Sequence, residues 1–125
     1  MNHRFRILTY ALLAIALALI TPGEQASLAA GIIIYVDADA TGANDGTSWA
    51  DAITTLQPAL EAALPGDQIW VAQGTYVPTD RFDPLDPRSA SFQMKNGVAI
   101  YGGFAGGETE LEQRDWFSNL TILSG

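Results

Sequence analysis

One pattern constrains this chain more than any other: apolar, any, apolar, any, any, glycine. It occurs as Ile69-Trp70-Val71-Ala72-Gln73-Gly74. It returns as Val98-Ala99-Ile100-Tyr101-Gly102-Gly103 and again as Leu120-Thr121-Ile122-Leu123-Ser124-Gly125. The copies begin 29 and 22 residues apart. Side chains alternate along a strand, so the first and third positions share a face. The glycine ends each strand where the backbone turns sharply. A strand motif at such a period points to a solenoid of stacked strands. In register, Ile69 and Val71, Val98 and Ile100, and Leu120 and Ile122 make one aliphatic ladder. Each contributes roughly 1.5–3 kcal/mol when buried.

The segments between the copies read in the same terms. Ile32-Ile33-Ile34-Tyr35-Val36 is a β-branched run that predicts a strand buried on both faces. Residues 37–51 predict a loop, with a turn at Asn44-Asp45-Gly46. Over residues 53–64 the period changes: Ile53, Leu56, Leu60 and Leu64 form one helical stripe. Thr55 is its expected N-cap, Pro58 falls in the first turn, and Gly66 suits a left-handed residue past the end. Further strands are predicted over 69–77, 91–94, 98–104 and 120–124. Pro78, Pro84 and Pro87 keep the intervening loop out of any sheet.

The first 29 residues read as a secretory signal peptide. Arg4 and Arg6 precede an apolar run over residues 7–20, too short to span a bilayer comfortably, and Ser27-Leu28-Ala29 offers a cleavage site. The competing reading is an uncleaved membrane anchor. No cysteine is present, so neither a disulfide nor a cysteine-linked lipid is expected. Loss of this leader takes Arg4, Arg6 and Glu24 and moves the net charge from −8 to −9. Such acidity disfavours nucleic acid and anionic membranes as partners. The lone histidine, His3, leaves with the leader, which excludes a Ser-His-Asp triad and histidine-based zinc sites from the remainder.

Several motifs resemble a known family. They are Ile34-Tyr35-Val36-Asp37, Asn44-Asp45-Gly46-Thr47-Ser48-Trp49, Pro65-Gly66-Asp67 and Ile69-Trp70-Val71-Ala72 with Gly74-Thr75-Tyr76. Together they resemble the start of bacterial right-handed parallel β-helix proteins of the pectate-lyase-like superfamily. Phe92-Gln93-Met94-Lys95-Asn96-Gly97-Val98, Ile100-Tyr101-Gly102-Gly103-Phe104 and Gln113-Arg114-Asp115-Trp116 are similar to one branch of it, large secreted or surface proteins with choice-of-anchor sorting regions. The resemblance implies an all-β solenoid over residues 30–125, the first rungs of a right-handed parallel β-helix. It further implies one short N-terminal capping α-helix, with Gln57 and Glu61 facing water. It also implies that the chain is part of a longer protein, with self-association possible through an open C-terminal strand.

Lyases of that superfamily display calcium-holding acids and an Arg or Lys base outward from their strands. Here the outward positions are Trp70, Ala72, Ala99, Tyr101, Thr121 and Leu123, none charged. Arg81, Arg88, Lys95 and Arg114 read as solvated loop charges. Asp37, Asp39 and Asp45, with Gly42 at the sixth position, match the first part of a Ca²⁺ loop, but Ser48 stands where the bidentate Glu belongs. Ordinary turn chemistry accounts for the same residues. Trp49, Trp70, Tyr76, Tyr101 and Trp116 are able to stack on sugars, yet in the hexad alignment Trp70 lies over Ala99 and Thr121, so no aromatic ladder is expected and packing beneath loops is their expected role. Asn119-Leu120-Thr121 is a sequon at a strand start. The leading expectation is an exported surface or secreted segment, extracellular or at the outer membrane. Its role is structural or binding, and its partners are carbohydrate or other cell-surface components. The alternative is the N-terminal part of a polysaccharide lyase or glycoside hydrolase.

Overall fold

The computed structural model describes residues 31–125, so the expected signal peptide lies outside the described residues. The elements run in order β1 (Ile33–Val36), α1 (Leu56–Ala62), β2 (Gln68–Ala72), β3 (Gly74–Tyr76), β4 (Ala99–Phe104) and β5 (Thr121–Leu123). They make two small parallel sheets, β1-β2-β4 and β3-β5. This corrects the expected fold: among the described residues there is no solenoid and no parallel β-helix, only short paired strands and one helix.

The reason lies in the register. In a true repeat, equal positions of the hexads would face one another. Instead Ile69 pairs with Ile100, so the first position of one copy meets the third of the next. The third copy does not continue the first sheet at all. Its second residue, Thr121, pairs with Gly74, the last residue of the first copy. The glycines also differ in use. Gly74 opens β3 with φ +141°, whereas Gly103 sits inside β4 with φ +89°, at an irregularity between Trp70 and Ala72 on β2. The expected strand over 69–77 is therefore two strands broken at Gln73. The expected strand over 91–94 is absent; the preceding loop closes on itself through an antiparallel bridge between Arg81 and Ala90 and the Ser91 N–H to the Asp80 carbonyl at 3.4 Å.

The core forms on one face of the first sheet. Ile34, Val36, Ile69 and Val71 meet Leu56, Ala59, Leu60 and Ala63 of the helical segment, with Ile53 and Tyr76 beside them. The helix follows Thr55 as expected, although the threonine side chain makes no cap bond. Leu64 leaves the stripe and is 66% exposed. It precedes Pro65, which disfavours helical backbone at the residue before it. Gln57, expected to face water, is buried instead.

Two side chains, Lys95 and Asp67, finish the helix and the turn after it. The Lys95 ammonium donates to the carbonyls of Glu61 at 2.6 Å and Ala63 at 3.0 Å. Those are carbonyls at or just past the last turn, where a cation also suits the helix dipole. Lys95 is thus a cap and not a merely solvated charge. The Asp67 carboxylate accepts from the Leu64 N–H at 2.8 Å and the Ile32 N–H at 3.0 Å. These bonds, Leu64 first, hold its carboxyl below the usual Asp range.

The other face of the first sheet is covered by aromatic rings. Trp70 stacks on Phe104 with centroids 4.7 Å apart, and Tyr35 meets Trp49 and Trp70 edge-on at 4.9 and 5.9 Å. Trp49 also meets Phe104 at 5.4 Å. β2 is buried on both sides as a result. The outward face expected at Trp70 and Ala72 does not exist, and Trp70 pairs with Tyr35 and Tyr101, not with Ala99.

Candidate functional site

The residues singled out in the sequence scatter into different roles. Asp37 Oδ1 accepts from the Asp39 N–H at 3.0 Å, closing a turn. Asp45 Oδ1 accepts from the Thr47 hydroxyl at 2.7 Å and the Thr47 N–H at 3.0 Å, which hold its carboxyl below the usual range. Asp37 and Asp39 both act on Tyr76, whose hydroxyl pKa is raised first by burial and then by their charge. Among the described residues, no three His, Cys, Asp or Glu side chains converge as a metal site.

The aromatics divide sharply. Trp70 is 3% exposed, and its indole N–H donates to Gln68 Oε1 at 2.9 Å. The Trp49 indole N–H donates to the Glu108 carbonyl at 2.8 Å. Tyr76 is buried and donates to the Ala72 carbonyl at 3.1 Å. Trp116 is 59% exposed, and among the described residues its indole N–H has no acceptor.

Backbone chemistry sets Trp116 in place. Gly102 and Gly103 give β4 a bare stretch on which the 115–121 segment lies directly. A Cβ on Gly103 would fall 3.1 Å from the Trp116 backbone, and one on Gly102 would fall 2.8 Å from Thr121 Cβ. The Gly103 carbonyl accepts from the Asp115 N–H at 2.8 Å, and the Gly103 N–H donates to Thr121 Oγ1 at 3.0 Å. That hydroxyl donates onward to the Val71 and Ala72 carbonyls, each at 3.2 Å. Asp115 then shapes the turn, accepting from the Phe117 and Ser118 N–H groups at 3.0 and 3.1 Å. Ser118 chiefly holds the Asp115 carboxyl below its usual range. The Asn119 amide of the sequon donates to the Gly103 carbonyl at 3.4 Å.

The result is a ridge. The Arg114 guanidinium lies 5.2 Å from the centre of the Tyr101 ring and 5.4 Å from that of Trp116. Among the described residues the one ion pair is Arg88 with Asp86, so ring faces and not a carboxylate meet the Arg114 charge. A hollow lies on each side. One, of about 360 Å³, is lined by Gly102, Gly103, Leu120 and Thr121 as well as the ridge. The other, of about 350 Å³, is lined by Leu111 and Glu112. An exposed ring, donors on Arg114 and an acceptor on Glu112 suit a ligand with apolar faces and polar edges.

No known protein family, curated protein or solved structure matches this chain. By sequence Trp116 is expected to pack beneath a loop and Arg114 to be a solvated loop charge; instead Trp116 is 59% exposed and Arg114 lies against its ring. The signal that points to it is the glycine pair inside a strand, which marks close backbone approach.

Proposed function

We propose that this chain is a non-catalytic binding segment of an exported protein, and that its ligand is a carbohydrate of the cell surface or its surroundings. The observation that carries this reading is the Arg114–Trp116 ridge, a solvent-facing indole beside a guanidinium with no carboxylate partner among the described residues, flanked by two hollows. A pyranose ring lays its C–H face on Trp116 and turns its hydroxyls toward Arg114 and Glu112. Export is supported by the leader-like pattern over residues 1–29 and by the acidic balance of the remainder.

The test is calorimetric titration of the full chain with neutral hexose oligomers, beside Trp116→Ala. Binding by the parent and its loss in the variant support the reading; no heat with any oligomer sinks it. Ile122 and Leu123 are exposed on β5, so self-association along that strand is controlled by light scattering at the same concentrations. Export is checked separately. The mass of the protein recovered outside a bacterial cytoplasm is expected to lack residues 1–29.

A further inference from the structure

Two glycines among the described residues follow an acidic or amide side chain that can react with them, in Asp45-Gly46 and Asn96-Gly97. In such a pair the glycine nitrogen can attack the side-chain carbonyl, because no Cβ shields it. The fold treats the two pairs in opposite ways. The Gly46 N–H donates to the Asp51 carbonyl at 2.8 Å, and Asp45 Oδ1 is taken by Thr47. At the other pair both residues are exposed, and among the described residues the Gly97 N–H has no acceptor and the Asn96 side chain no partner. The remaining asparagines are held. Asn44 Oδ1 accepts from the Thr54 N–H at 2.9 Å, and the Asp45 N–H after it is bonded to the Asp51 carbonyl at 2.9 Å. The Asn119 amide donates to the Gly103 carbonyl, and bulky Leu120 follows it.

Asn96 and Gly97 form the tip of a turn in which Gly97 takes φ +78°. The bond that closes it, from the Val98 N–H to the Lys95 carbonyl, is 3.3 Å long, past the usual range. The tip is therefore free to open and bring the Asn96 amide onto the Gly97 nitrogen. Its flanks, in contrast, are anchored on the end of α1. Lys95 donates to the Glu61 and Ala63 carbonyls, and the Gly97 carbonyl accepts from the Gly66 N–H at 2.8 Å. Gly97 also lies against Pro65, so close that a Cβ on it would fall 2.9 Å from the proline Cβ. The helix end thus depends on the spacing between Lys95 and Gly97.

We infer that Asn96-Gly97 is a site of spontaneous modification, and that its conversion releases the end of α1. The Gly97 nitrogen gives its proton to solvent and bonds to Asn96 Cγ. The side-chain nitrogen takes a proton from solvent and leaves as ammonia. Water then opens the cyclic imide at either carbonyl, with no oxidation or reduction. One opening leaves aspartate at position 96. The other leaves isoaspartate, whose main chain is one carbon longer. The longer link parts Lys95 from Gly97, and the new carboxylate offers the Lys95 ammonium a charged partner in place of the two carbonyls. The ridge shares no residue with this turn, so the inference does not rest on carbohydrate binding.

The experiment holds the full chain at mildly alkaline pH, which favours loss of the Gly97 amide proton. Mass spectrometry follows it, with fragmentation that separates aspartate from isoaspartate. Conversion is expected at Asn96 at least about tenfold faster than at Asn44 or Asn119. Hydrogen exchange then reads the helix end. The Ala63 N–H, bonded to the Ala59 carbonyl at 3.0 Å, is expected to exchange about tenfold faster in aged than in fresh protein. Asn96→Ser is expected to pass through the same incubation with neither change. Conversion no faster at Asn96 than at Asn119, converted protein with the Ala63 exchange of fresh protein, or an equal rise in Asn96→Ser would overturn the inference.

Discussion

The aromatic box over β2 and the ridge at Trp116 are built from the same residue types and behave in opposite ways. In the box, Tyr35, Trp49, Trp70 and Phe104 satisfy one another edge to face or stacked, and both indole N–H groups find acceptors. At the ridge, Tyr101 and Trp116 flank a guanidinium, and the indole N–H is left to solvent. A ring whose polar edge and faces are all met belongs to the fold. A ring held by backbone contacts, with a guanidinium on one face and its edge open, is available to a ligand. Rigid support beneath an exposed ring is the more telling feature, because it cuts the ordering cost of binding.

The largest expected effect breaks the box. Phe104 is fully buried against Trp49 and Trp70. Phe104→Ala is expected to destabilise the chain by about 3–5 kcal/mol in urea unfolding. Next comes the seam between the two regions. Gly103→Ala places a Cβ at φ +89° and 3.1 Å from the Trp116 backbone. A loss of about 1–2 kcal/mol is expected, together with a change in Trp116 emission that Phe104→Ala does not reproduce at equal stability.

Acid acts on the carboxylates that hold the backbone, Asp67 at the end of α1 as well as Asp115 under the ridge. The folded Asp67 carboxyl lies below its ordinary value because it accepts the Leu64 and Ile32 N–H bonds. Its contribution is therefore complete above the unfolded Asp range and is lost as pH falls through the lowered folded value. Asp67→Asn is expected to flatten the acid limb of melting temperature against pH. The smallest effect on stability is expected for Trp116→Ala, within about 0.5 kcal/mol of the parent, although it abolishes oligosaccharide binding.

The local grammar of the fold was legible in residue order. The strand at Ile34 and Val36, the helix after Thr55 and the positive φ at Asn44, Gly46 and Gly66 follow from β-branching, helical period and turn chemistry. Register was not legible, for a specific reason. A slip of one residue turns every side chain to the wrong face, but a slip of two preserves the face. Ile69 opposite Ile100 and Ile69 opposite Val98 are therefore equally good by pattern, and only the first occurs. That slip brought Trp70 to Tyr101 and dissolved the apparent repeat. Contacts far apart in sequence were equally hidden, as Lys95 at the end of α1 and Thr121 beneath Gly103 show. Of the candidate site, Trp116 was legible as an aromatic, but its partnership with Arg114 depends on the glycine pair that brings two segments together.

The most direct measurement follows the indole N–H resonances of the full chain while a neutral hexose oligomer is added. The expected result is that the Trp116 signal moves and saturates while those of Trp49 and Trp70, each hydrogen-bonded inside the protein, stay in place. A Trp116 signal that never moves, or binding that shifts Trp70 instead, would contradict the division between a structural box and a binding ridge.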